Sequence, residues 1–426
     1  MNIKGLPILF IWPGIYLGWN ILGNGFEQSS INHGLSSLSA VLKREGHSCF
    51  LIDLRSCKNW EHFEQIIKEQ GFDLVLVGFY SVDEKFADQS IRILKKYFPN
   101  KPVIAGGVHL TYNQIQEFSL ADCIVWGEGE SVINKLIKNK NLPRQITAPK
   151  IENLDTLPFI DRSLFNSEYE KNNPLFPLLP IPHYTINFSR GCPYSCSFCL
   201  ESKNILWKGY RMRSPGNCIE ELKSLGQISS LMIHDDVFPS RSWCEEYIKL
   251  FYKSFNRIPF WCQMRADWIC KNYDLIPELV EIGLTWVSLG IEGSQRMLDF
   301  YNKRLTTEQV IKAGEILHNN QVNIFGNYIM GSPTETKEDI EELGEILKKV
   351  RPEWHSPSIY TSYSGSTIFD FIKENNLWVE PIEDPNSHYS LTRFPYERCI
   401  HNIDYSYIRE KIAEFTQYKS ELKFYG

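Results

Sequence analysis

The first 140 residues alternate short apolar runs with amphipathic stretches, a pattern that few folds accommodate. Amphipathic stretches with helical spacing, such as residues 35–44 and 87–98, separate the apolar runs. Strands that are apolar throughout and separated by helices are typical of a parallel sheet covered on both faces. The sequence therefore predicts a doubly wound, Rossmann-like α/β domain over residues 1–140. Its predicted strands are residues 7–12, 49–52, 74–79, 102–105 and 123–126.

A second series of apolar runs occupies residues 183–365. Six strand–helix units follow one another there, which is too few for a complete eightfold barrel. The pattern predicts a partial (β/α)6 barrel, followed by a short helical C-terminal region over residues 366–426. The predicted strands are residues 184–188, 231–234, 260–262, 286–289, 324–329 and 358–361.

Proline is concentrated between the two series, in residues 141–182. Examples are Pro174, Pro177, Pro180 and Pro182. Because proline lacks an amide hydrogen and fixes φ, we expect neither a regular helix nor a regular strand in this segment. The sequence predicts a linker or strap over residues 141–182 that joins the two domains.

Glycines follow the predicted strands of the first domain. Gly106 and Gly107 come after the fourth strand, and Gly127 and Gly129 come after the fifth. In open parallel sheets, ligands bind in a crevice at the carboxyl ends of the strands. This edge is therefore a predicted binding site. The glycines that follow the first strand are Gly14, Gly18, Gly23 and Gly25.

The charge balance and the N-terminal composition exclude two kinds of partner. Lys and Arg number 45 against 51 Asp and Glu, a formal net charge of −6, which is unlike a protein that binds nucleic acid through its phosphates. Residues 5–26 carry no charge and are long enough to span a bilayer, but proline and glycine interrupt them. We expect a strand and a glycine-rich loop there and no membrane span.

The cysteines point to a metal site. The chain has 11 of them, an odd number that favours a reducing compartment such as the cytoplasm over a disulfide framework. Only Cys192, Cys196 and Cys199 lie close together, in the spacing C-x3-C-x2-C. Three thiolates on one loop can hold three irons of a 4Fe–4S cluster and leave the fourth iron open. A zinc site or a fully coordinated cluster would need a fourth ligand nearby, and three structural cysteines are the remaining alternative.

This loop, just after the first strand of a barrel-like domain, resembles that of the radical S-adenosylmethionine superfamily. In that family the open iron binds the amino and carboxylate groups of S-adenosylmethionine, which is then cleaved to a 5′-deoxyadenosyl radical. The resemblance implies that the three cysteines bind the cluster and that Phe198 lies beside the adenine of S-adenosylmethionine.

The downstream strand ends continue the resemblance and imply further cofactor contacts. Asp235 and Asp236 follow the second strand, where many members contact the methionine amino group, and Glu292 and Ser294 match the element that faces the ribose or methionyl end. Asp235 and Asp236 could instead cap the next helix, and Glu292 could be a solvated charge. Two more positions complete the set implied to contact S-adenosylmethionine: Arg265 after the third strand and Gly331 after the fifth.

The first domain is similar to the cobalamin-binding domain found upstream of many radical S-adenosylmethionine enzymes. The similarity lies in residues 104–111, 121–130 and 157–162. The Asp-x-His-x-x-Gly motif of other cobalamin proteins is absent, some relatives bind no cobalamin, and His109 could equally be a core histidine. The residues implied to contact cobalamin are Ser81, Gly106, Gly107, His109, Thr111, Gly127, Glu128, Gly129 and Glu130.

Together the two resemblances imply a cobalamin-dependent radical enzyme that uses a 4Fe–4S cluster and S-adenosylmethionine. The expected activity is methylation of an unactivated carbon or phosphinate-type centre in a small molecule. Two alternatives stay open: a radical rearrangement, cyclisation or other group transfer without methylation, and a non-catalytic protein that binds cobalamin or an iron–sulfur cluster. A flavodoxin- or ferredoxin-type protein is the expected reductant. The basic run of Lys203, Lys208, Arg211 and Arg213 is either a surface that attracts an anionic partner or a solvated face.

Overall fold

The computed structural model of the chain divides into two compact units. Unit 1 comprises residues 1–175 with two short additional segments, and unit 2 comprises the remainder. The structure describes residues 5–13, 31–139, 141–165, 179–203, 209–360, 365–377 and 403–421. The predicted glycine group at 14, 18, 23 and 25 lies outside the described residues.

Unit 1 is a parallel sheet with helices on both faces, which confirms the predicted Rossmann-like domain. Its six strands run in the order β2-β1-β3-β4-β5-β6. Two apolar clusters, one around Leu9 and Ile11 and the other around Ile8 and Phe10, cover the opposite faces of the sheet. The elements are β1 (Pro7–Trp12), α1 (His33–Arg44), β2 (Ser48–Asp53), α2 (Trp60–Glu69), β3 (Leu74–Gly78), α3 (Glu84–Tyr97), β4 (Val103–Gly106), α4 (Val108–Tyr112), β5 (Cys123–Gly127), α5 (Ile133–Leu136) and β6 (Gln145–Ala148).

The sixth strand corrects one expectation about the proline-rich segment. Gln145–Ala148 forms β6 and pairs with β5, so this segment is not free of regular structure. The chain after it also packs within unit 1: Asp161 accepts a hydrogen bond from Ser39 Oγ at 2.5 Å and forms a salt bridge with Lys43 at 2.7 Å. None of the prolines in this segment falls within β6, so its backbone amides remain available for the ladder.

Unit 2 contains a six-stranded parallel sheet, in keeping with the predicted partial barrel. The strand order is β14-β13-β12-β11-β10-β7, and β8 and β9 form a separate antiparallel pair. The strands are β7 (His183–Ile186), β8 (Ser189–Arg190), β9 (Arg211–Met212), β10 (Ser230–Ile233), β11 (Phe260–Met264), β12 (Leu284–Glu292), β13 (Asn323–Met330) and β14 (Trp354–Ile359). The helices are α6 (Pro215–Ser224), α7 (Arg241–Ser254), α8 (Ala266–Lys271), α9 (Ile276–Ile282), α10 (Gln295–Phe300), α11 (Thr307–Asn319), α12 (Lys337–Val350), α13 (Thr367–Glu374) and α14 (Tyr405–Phe415).

Local sequence signals explain where the helices that follow the strands begin. Thr306 caps α11 by accepting a hydrogen bond from the amide of Gln309, whose side chain accepts one from the amide of Thr306. Ser294 caps α10 in a similar way, and its hydroxyl is completely buried. Among the described residues, no helix is long and apolar enough to cross a membrane.

Candidate functional site

The three clustered cysteines lie on the loop that follows β8, called here the cysteine loop (residues 191–203). All three are half-buried, and the described cysteines form no disulfide. The loop is tightly turned, since the amide of Cys199 donates to the carbonyl of Cys196 at 2.9 Å. Burial raises the pKa of the Cys192 thiol above its usual value of 9.0. A bound metal would offset that cost, because coordination favours the thiolate.

Two distant parts of unit 2 brace the centre of the cysteine loop through Ser197. Its amide donates to the carbonyl of Tyr301 at 2.8 Å, and its hydroxyl donates to the carbonyl of Phe300 at the same distance. Its own carbonyl accepts a hydrogen bond from the amide of Ile368, in α13, at 3.0 Å. The segment after β12 and the helix after β14 thus fix the residue between two of the cysteines.

Asp235 holds the chain that leads into the cysteine loop. Its carboxylate is 3% exposed and accepts hydrogen bonds from the amides of Phe188 and Ser189 and from Ser189 Oγ, at 2.8–2.9 Å. Burial raises its pKa to about 7. Both oxygens are therefore engaged within the protein, whereas the neighbouring Asp236 is exposed. The predicted contact of each carboxylate with S-adenosylmethionine stays a prediction, and the geometry favours Asp236 for it.

We expect Asp235→Asn to reduce the iron bound per chain, because its amide group would face the amide donors of Phe188 and Ser189. Leaving buried donors without an acceptor costs about 1–3 kcal/mol. Asp236→Asn is the matched control: it should keep the iron content while weakening S-adenosylmethionine binding. Iron analysis and isothermal titration would separate the two. Parental iron content and stability in Asp235→Asn would contradict the assigned role.

Two cations contact aromatic residues of the cysteine loop. The Arg265 guanidinium lies 3.7 Å from the ring centre of Tyr194, and Lys303 Nζ lies 5.6 Å from that of Phe198. Arg265 also donates to the carbonyl of Lys303 at 2.8 Å and pairs with Asp267 at 3.0 Å. Arg265, predicted as a cofactor residue, therefore links β11 to the loop. Lys303 was not anticipated from the sequence.

Glu292 forms a buried ion pair with Lys303 at 2.5 Å. Glu292 is 7% exposed and has a left-handed backbone conformation (φ 64°), which is uncommon for a residue other than glycine. The alternative that Glu292 is a solvated charge is therefore wrong. Ser294 donates to Asp339 at 2.7 Å and caps α10. The predicted cofactor contacts of Glu292 and Ser294 stay predictions.

The loop after β13 contains Gly331, at φ 83°, and a buried glutamate. Glu335 is 1% exposed and accepts hydrogen bonds from the amides of Gly331 and Ser332. Ser332 in turn shares a hydrogen bond with the hydroxyl of Tyr301, whose ring packs edge-on against Phe198 at 5.2 Å. This chain of contacts connects the predicted adenine-side residues Gly331 and Phe198.

The buried Glu335 predicts a pH-dependent stability. Burial raises its pKa from 4.5 to about 8, so the folded state retains a proton that the unfolded state releases. This contribution to stability is present below pH 4.5 and is lost as the pH rises to about 8. In urea unfolding, the free energy of unfolding of Glu335→Gln should therefore decline less over this pH range than that of the parent chain. An equally steep decline in the variant would show that Glu335 does not cause the pH dependence.

The basic run does not form an open cationic surface in the described residues. Lys203 forms a salt bridge with Asp370 at 2.5 Å, Arg213 pairs with Glu221, and Arg211 is 7% exposed. Lys208 lies outside the described residues. A solvated face is therefore wrong for the buried Arg211, and the charge of Arg213 is already paired with Glu221.

In unit 1, several predicted cobalamin residues are used within the domain. His109 is completely buried and shares a hydrogen bond with Ser81 Oγ at 3.0 Å, which favours the alternative of a core histidine. Thr111 Oγ1 accepts from the amide of Gly127 at 3.1 Å. Glu128 accepts from the amide of Ile151, and Glu130 accepts from Ser37 Oγ, both at 2.6 Å. Contacts of these side chains with cobalamin stay predictions.

Close backbone packing requires two of the predicted glycines. Gly107 has φ 109°, and a Cβ there would lie 2.8 Å from the carbonyl oxygen of Phe79. Gly127 has φ 86°, and a Cβ there would lie 2.7 Å from the carbonyl oxygen of Ala148. Both positions keep neighbouring strand ends close at the carboxyl edge of the sheet. Gly106 and Gly129 have ordinary φ values, so cofactor approach stays a prediction for them.

The residues present fit an iron–sulfur cluster and a ligand at the sheet edge of unit 1. Three thiols on one loop match a cubane with one open iron, in which each cysteine binds a different iron. Among the described residues, no three His, Cys, Asp or Glu side chains form a group that could hold a single metal ion. At the end of β1, Trp12 Nε1 is buried without a hydrogen-bond acceptor in the described chain, so a cofactor with amide oxygens fits there.

Comparisons with known proteins identify both units. The family described as "Radical SAM superfamily" matches residues 186–347, and "B12 binding domain" matches residues 20–137. An anaerobic magnesium-protoporphyrin IX monomethyl ester cyclase of Cereibacter sphaeroides is 24% identical over 91% of this chain and 68% of its own length. The corresponding cyclase of Rubrivivax gelatinosus is 28% identical over 71% of this chain and 60% of its own length. The chain thus spans about two thirds of the length of these two relatives. Bacteriochlorophyllide d C-8(2)-methyltransferase of Chlorobaculum tepidum is 26% identical over 84% and 81%.

Solved structures share the fold. The radical S-adenosylmethionine methyltransferase TsrM of Kitasatospora setae, with cobalamin and a [4Fe–4S] cluster bound, has a TM-score of 0.67 and 15% identity over 89% of this chain and 76% of its own. The cobalamin-dependent enzyme OxsB, with aqua-cobalamin bound, has a TM-score of 0.62 and 17% identity over 98% of this chain and 62% of its own. The chain therefore combines a B12 binding domain with a domain of the radical SAM superfamily, and the cysteine triplet lies within the second of these matches.

Proposed function

We propose that this enzyme transfers a methyl group to an unactivated carbon or a phosphinate-type centre of a small molecule. The observation that carries the proposal is the cysteine loop, whose three half-buried thiols would hold three irons of a cubane, in a chain that also has a B12-binding domain. Relatives named as methylases, including bacteriochlorophyllide d C-8(2)-methyltransferase and hopanoid C-3 methylase, support it.

The protein's own residues hold and orient the reacting groups. Cys192, Cys196 and Cys199 would hold the cluster, and the edge of unit 1 would hold cobalamin. When bound, the cluster with S-adenosylmethionine supplies a radical, and cobalamin supplies a methyl group. The protein fixes the cysteine loop through Ser197 and Asp235. Such positioning converts encounters between reactants into steps within one complex.

The experiment uses the anaerobically purified holoenzyme, S-adenosylmethionine labelled with ¹³C in its methyl group, and a chemical reductant. We expect the label on cobalamin, S-adenosylhomocysteine as one product and 5′-deoxyadenosine as another, all resolved by mass spectrometry. The Cys196→Ala variant, with cobalamin supplied, is the control for background cleavage. 5′-Deoxyadenosine without label on cobalamin would overturn the methyl-transfer proposal.

A second candidate is a radical cyclisation or rearrangement without methylation. The two magnesium-protoporphyrin IX monomethyl ester cyclases favour it, because they match 91% and 71% of this chain. The same labelling experiment discriminates the two, since a cyclase forms 5′-deoxyadenosine and leaves the methyl label on methionine. In either case, a flavodoxin- or ferredoxin-type protein is the proposed electron donor.

A further inference from the structure

The parallel sheet of unit 2 has two chemically different faces. The outer face packs against the helices and is apolar, with Leu231, Ile233, Cys262 and Val287 in the main core of the unit. Because side chains alternate along a strand, the residues between these point to the opposite, inner face. The inner face is where a partial barrel encloses a ligand, so its side chains decide which molecule fits.

One layer of the inner face is aromatic and closed. Trp261 and Trp286 are 5% and 3% exposed and pack with the partly buried Met232 and Phe325 and with Leu179. The ring centres of Trp261 and Phe325 are 5.1 Å apart. We call these five residues the aromatic floor. They fill the barrel interior toward the amino ends of the strands, so a ligand can occupy only the space above them.

The next layer toward the carboxyl ends is polar. His234, Gln263, Ser288 and Asn327 each lie two positions after a residue of the aromatic floor and therefore share its face. On the neighbouring strand, Ser356 is the partner of Asn327, and Ser358 lies two positions further on. We call this layer the polar ring: His234, Gln263, Ser288, Asn327, Ser356 and Ser358.

The polar ring borders a recess that water can enter. His234 and Ser358 are exposed, although both follow or lie within strands of the central sheet, and Gln263, Asn327 and Ser356 are half-buried. Burial lowers the pKa of the His234 imidazole. The neighbouring Asp235 accepts hydrogen bonds from the amides of Phe188 and Ser189, which lead into the cysteine loop. The recess therefore lies at the end of the sheet that carries the cysteine loop.

The lining of the recess is uncharged but rich in hydrogen-bonding groups. No member of the polar ring is Asp, Glu, Lys or Arg, and its amides and hydroxyls both donate and accept. Asn327 Nδ2 donates to Ser288 Oγ at 2.8 Å, which leaves the serine hydrogen and the Asn327 oxygen directed elsewhere. The two cations that contact the cysteine loop, Arg265 and Lys303, already pair with Asp267 and Glu292.

We propose that the part of the substrate held in this recess is a neutral ring bearing several hydroxyl or amide groups. This inference rests on the proposed function, since it names the substrate class of the same site. A hydrocarbon would bury the amide of Gln263 and the amide oxygen of Asn327 without partners, which is costly. A carboxylate or phosphate would be buried without a counter-charge in the polar ring. The apolar face of such a ring would lie on Met232 and Phe325.

Saturation-transfer NMR with the anaerobic, cluster-loaded protein tests this without requiring turnover. The probes are methyl β-glucopyranoside and N-acetylglucosamine as neutral rings, glucuronate as an anionic ring and cyclohexanol as an apolar ring. We expect transfer to the two neutral probes and at least about fivefold less to the other two, as the loss of about one hydrogen bond predicts. Equal or stronger transfer to glucuronate or cyclohexanol would overturn the proposal.

Variants locate the binding. Asn327→Leu and Gln263→Leu, tested separately, should each weaken binding of the neutral probes about fivefold. Gln227→Leu changes an exposed amide outside the recess and should leave binding unchanged. Iron content and the thermal unfolding midpoint verify that each variant is folded. Should one variant fail to fold, Ser288→Ala replaces it. Unchanged binding in the folded ring variants would refute the assignment, whereas failure of methyl labelling with intact binding would count only against the proposed function.

Discussion

Cys196→Ala is expected to lose the cluster, with iron falling from about four per chain to background and S-adenosylmethionine cleavage falling below detection. Cys196 occupies the middle position of the triplet, and its carbonyl accepts the hydrogen bond that turns the chain toward Cys199. With one thiol removed, only two protein ligands remain for a cubane that needs three. Anaerobic reconstitution followed by iron analysis and the visible absorption spectrum measures the result.

The matched control is Cys262→Ala, which removes a thiol from the same unit. Cys262 is 1% exposed on the outer face of β11, and burial keeps its pKa well above 9.0, so it is a core residue. Its replacement should cost about 1–2 kcal/mol of stability through a small cavity and should leave the iron content unchanged. Parental absorbance and cleavage in Cys196→Ala would refute the cluster assignment.

The fold was largely readable from the sequence because its strands are buried on both faces. Apolar runs such as residues 74–79 and 123–126 stand out when every side chain of a strand is covered. The strand β6 (Gln145–Ala148) was missed because it is only four residues long and half-exposed at the edge of its sheet. A short edge strand lacks the continuous apolar signal, and the surrounding prolines argued against it.

The part of the site that depends on the spacing of residues along the chain was predictable, whereas the part that depends on contacts between residues distant in the sequence was less so. The cysteine triplet is a local pattern, whereas the role of Asp235 depends on backbone amides 46 and 47 positions away. His109 gave no signal in the sequence that would separate a ligand from a core residue, and its complete burial favours the core residue. Lys303 was missed because its partner Glu292 lies eleven residues earlier, across α10. A search of the sequence for a basic partner of Glu292, at the end of β12, would have found Lys303.

Lys303→Met is the second variant with a large expected effect, about 3–5 kcal/mol of lost unfolding free energy. Both members of the Glu292–Lys303 pair are buried, at 7% and 9% exposure. In the pair, Lys303 Nζ lies 2.5 Å from the Glu292 carboxylate. Removing the ammonium leaves that carboxylate buried without its counter-charge. Urea unfolding followed by tryptophan fluorescence measures the loss.

Lys312→Met is the matched control, since Lys312 forms an exposed helical pair with Glu315 at 3.5 Å. An exposed pair contributes about 1 kcal/mol or less. The double variant Glu292→Gln/Lys303→Met should recover most of the stability lost in Lys303→Met, because no charge then remains buried alone. A double variant as unstable as Lys303→Met would show that the lysine acts through packing on Phe198 rather than through the ion pair.

The same variants decide how the ion pair relates to the predicted contact with S-adenosylmethionine. Lys303 holds the carboxylate of Glu292 in a left-handed backbone position beside the cysteine loop. If the pair orients Glu292 toward the cofactor, Lys303→Met should weaken S-adenosylmethionine binding to the folded protein as much as Glu292→Gln does. If Glu292 instead serves only to neutralise the buried lysine, the double variant should bind the cofactor like the parent chain. Because binding is measured on folded protein and stability by unfolding, the positioning role and the structural role give different results.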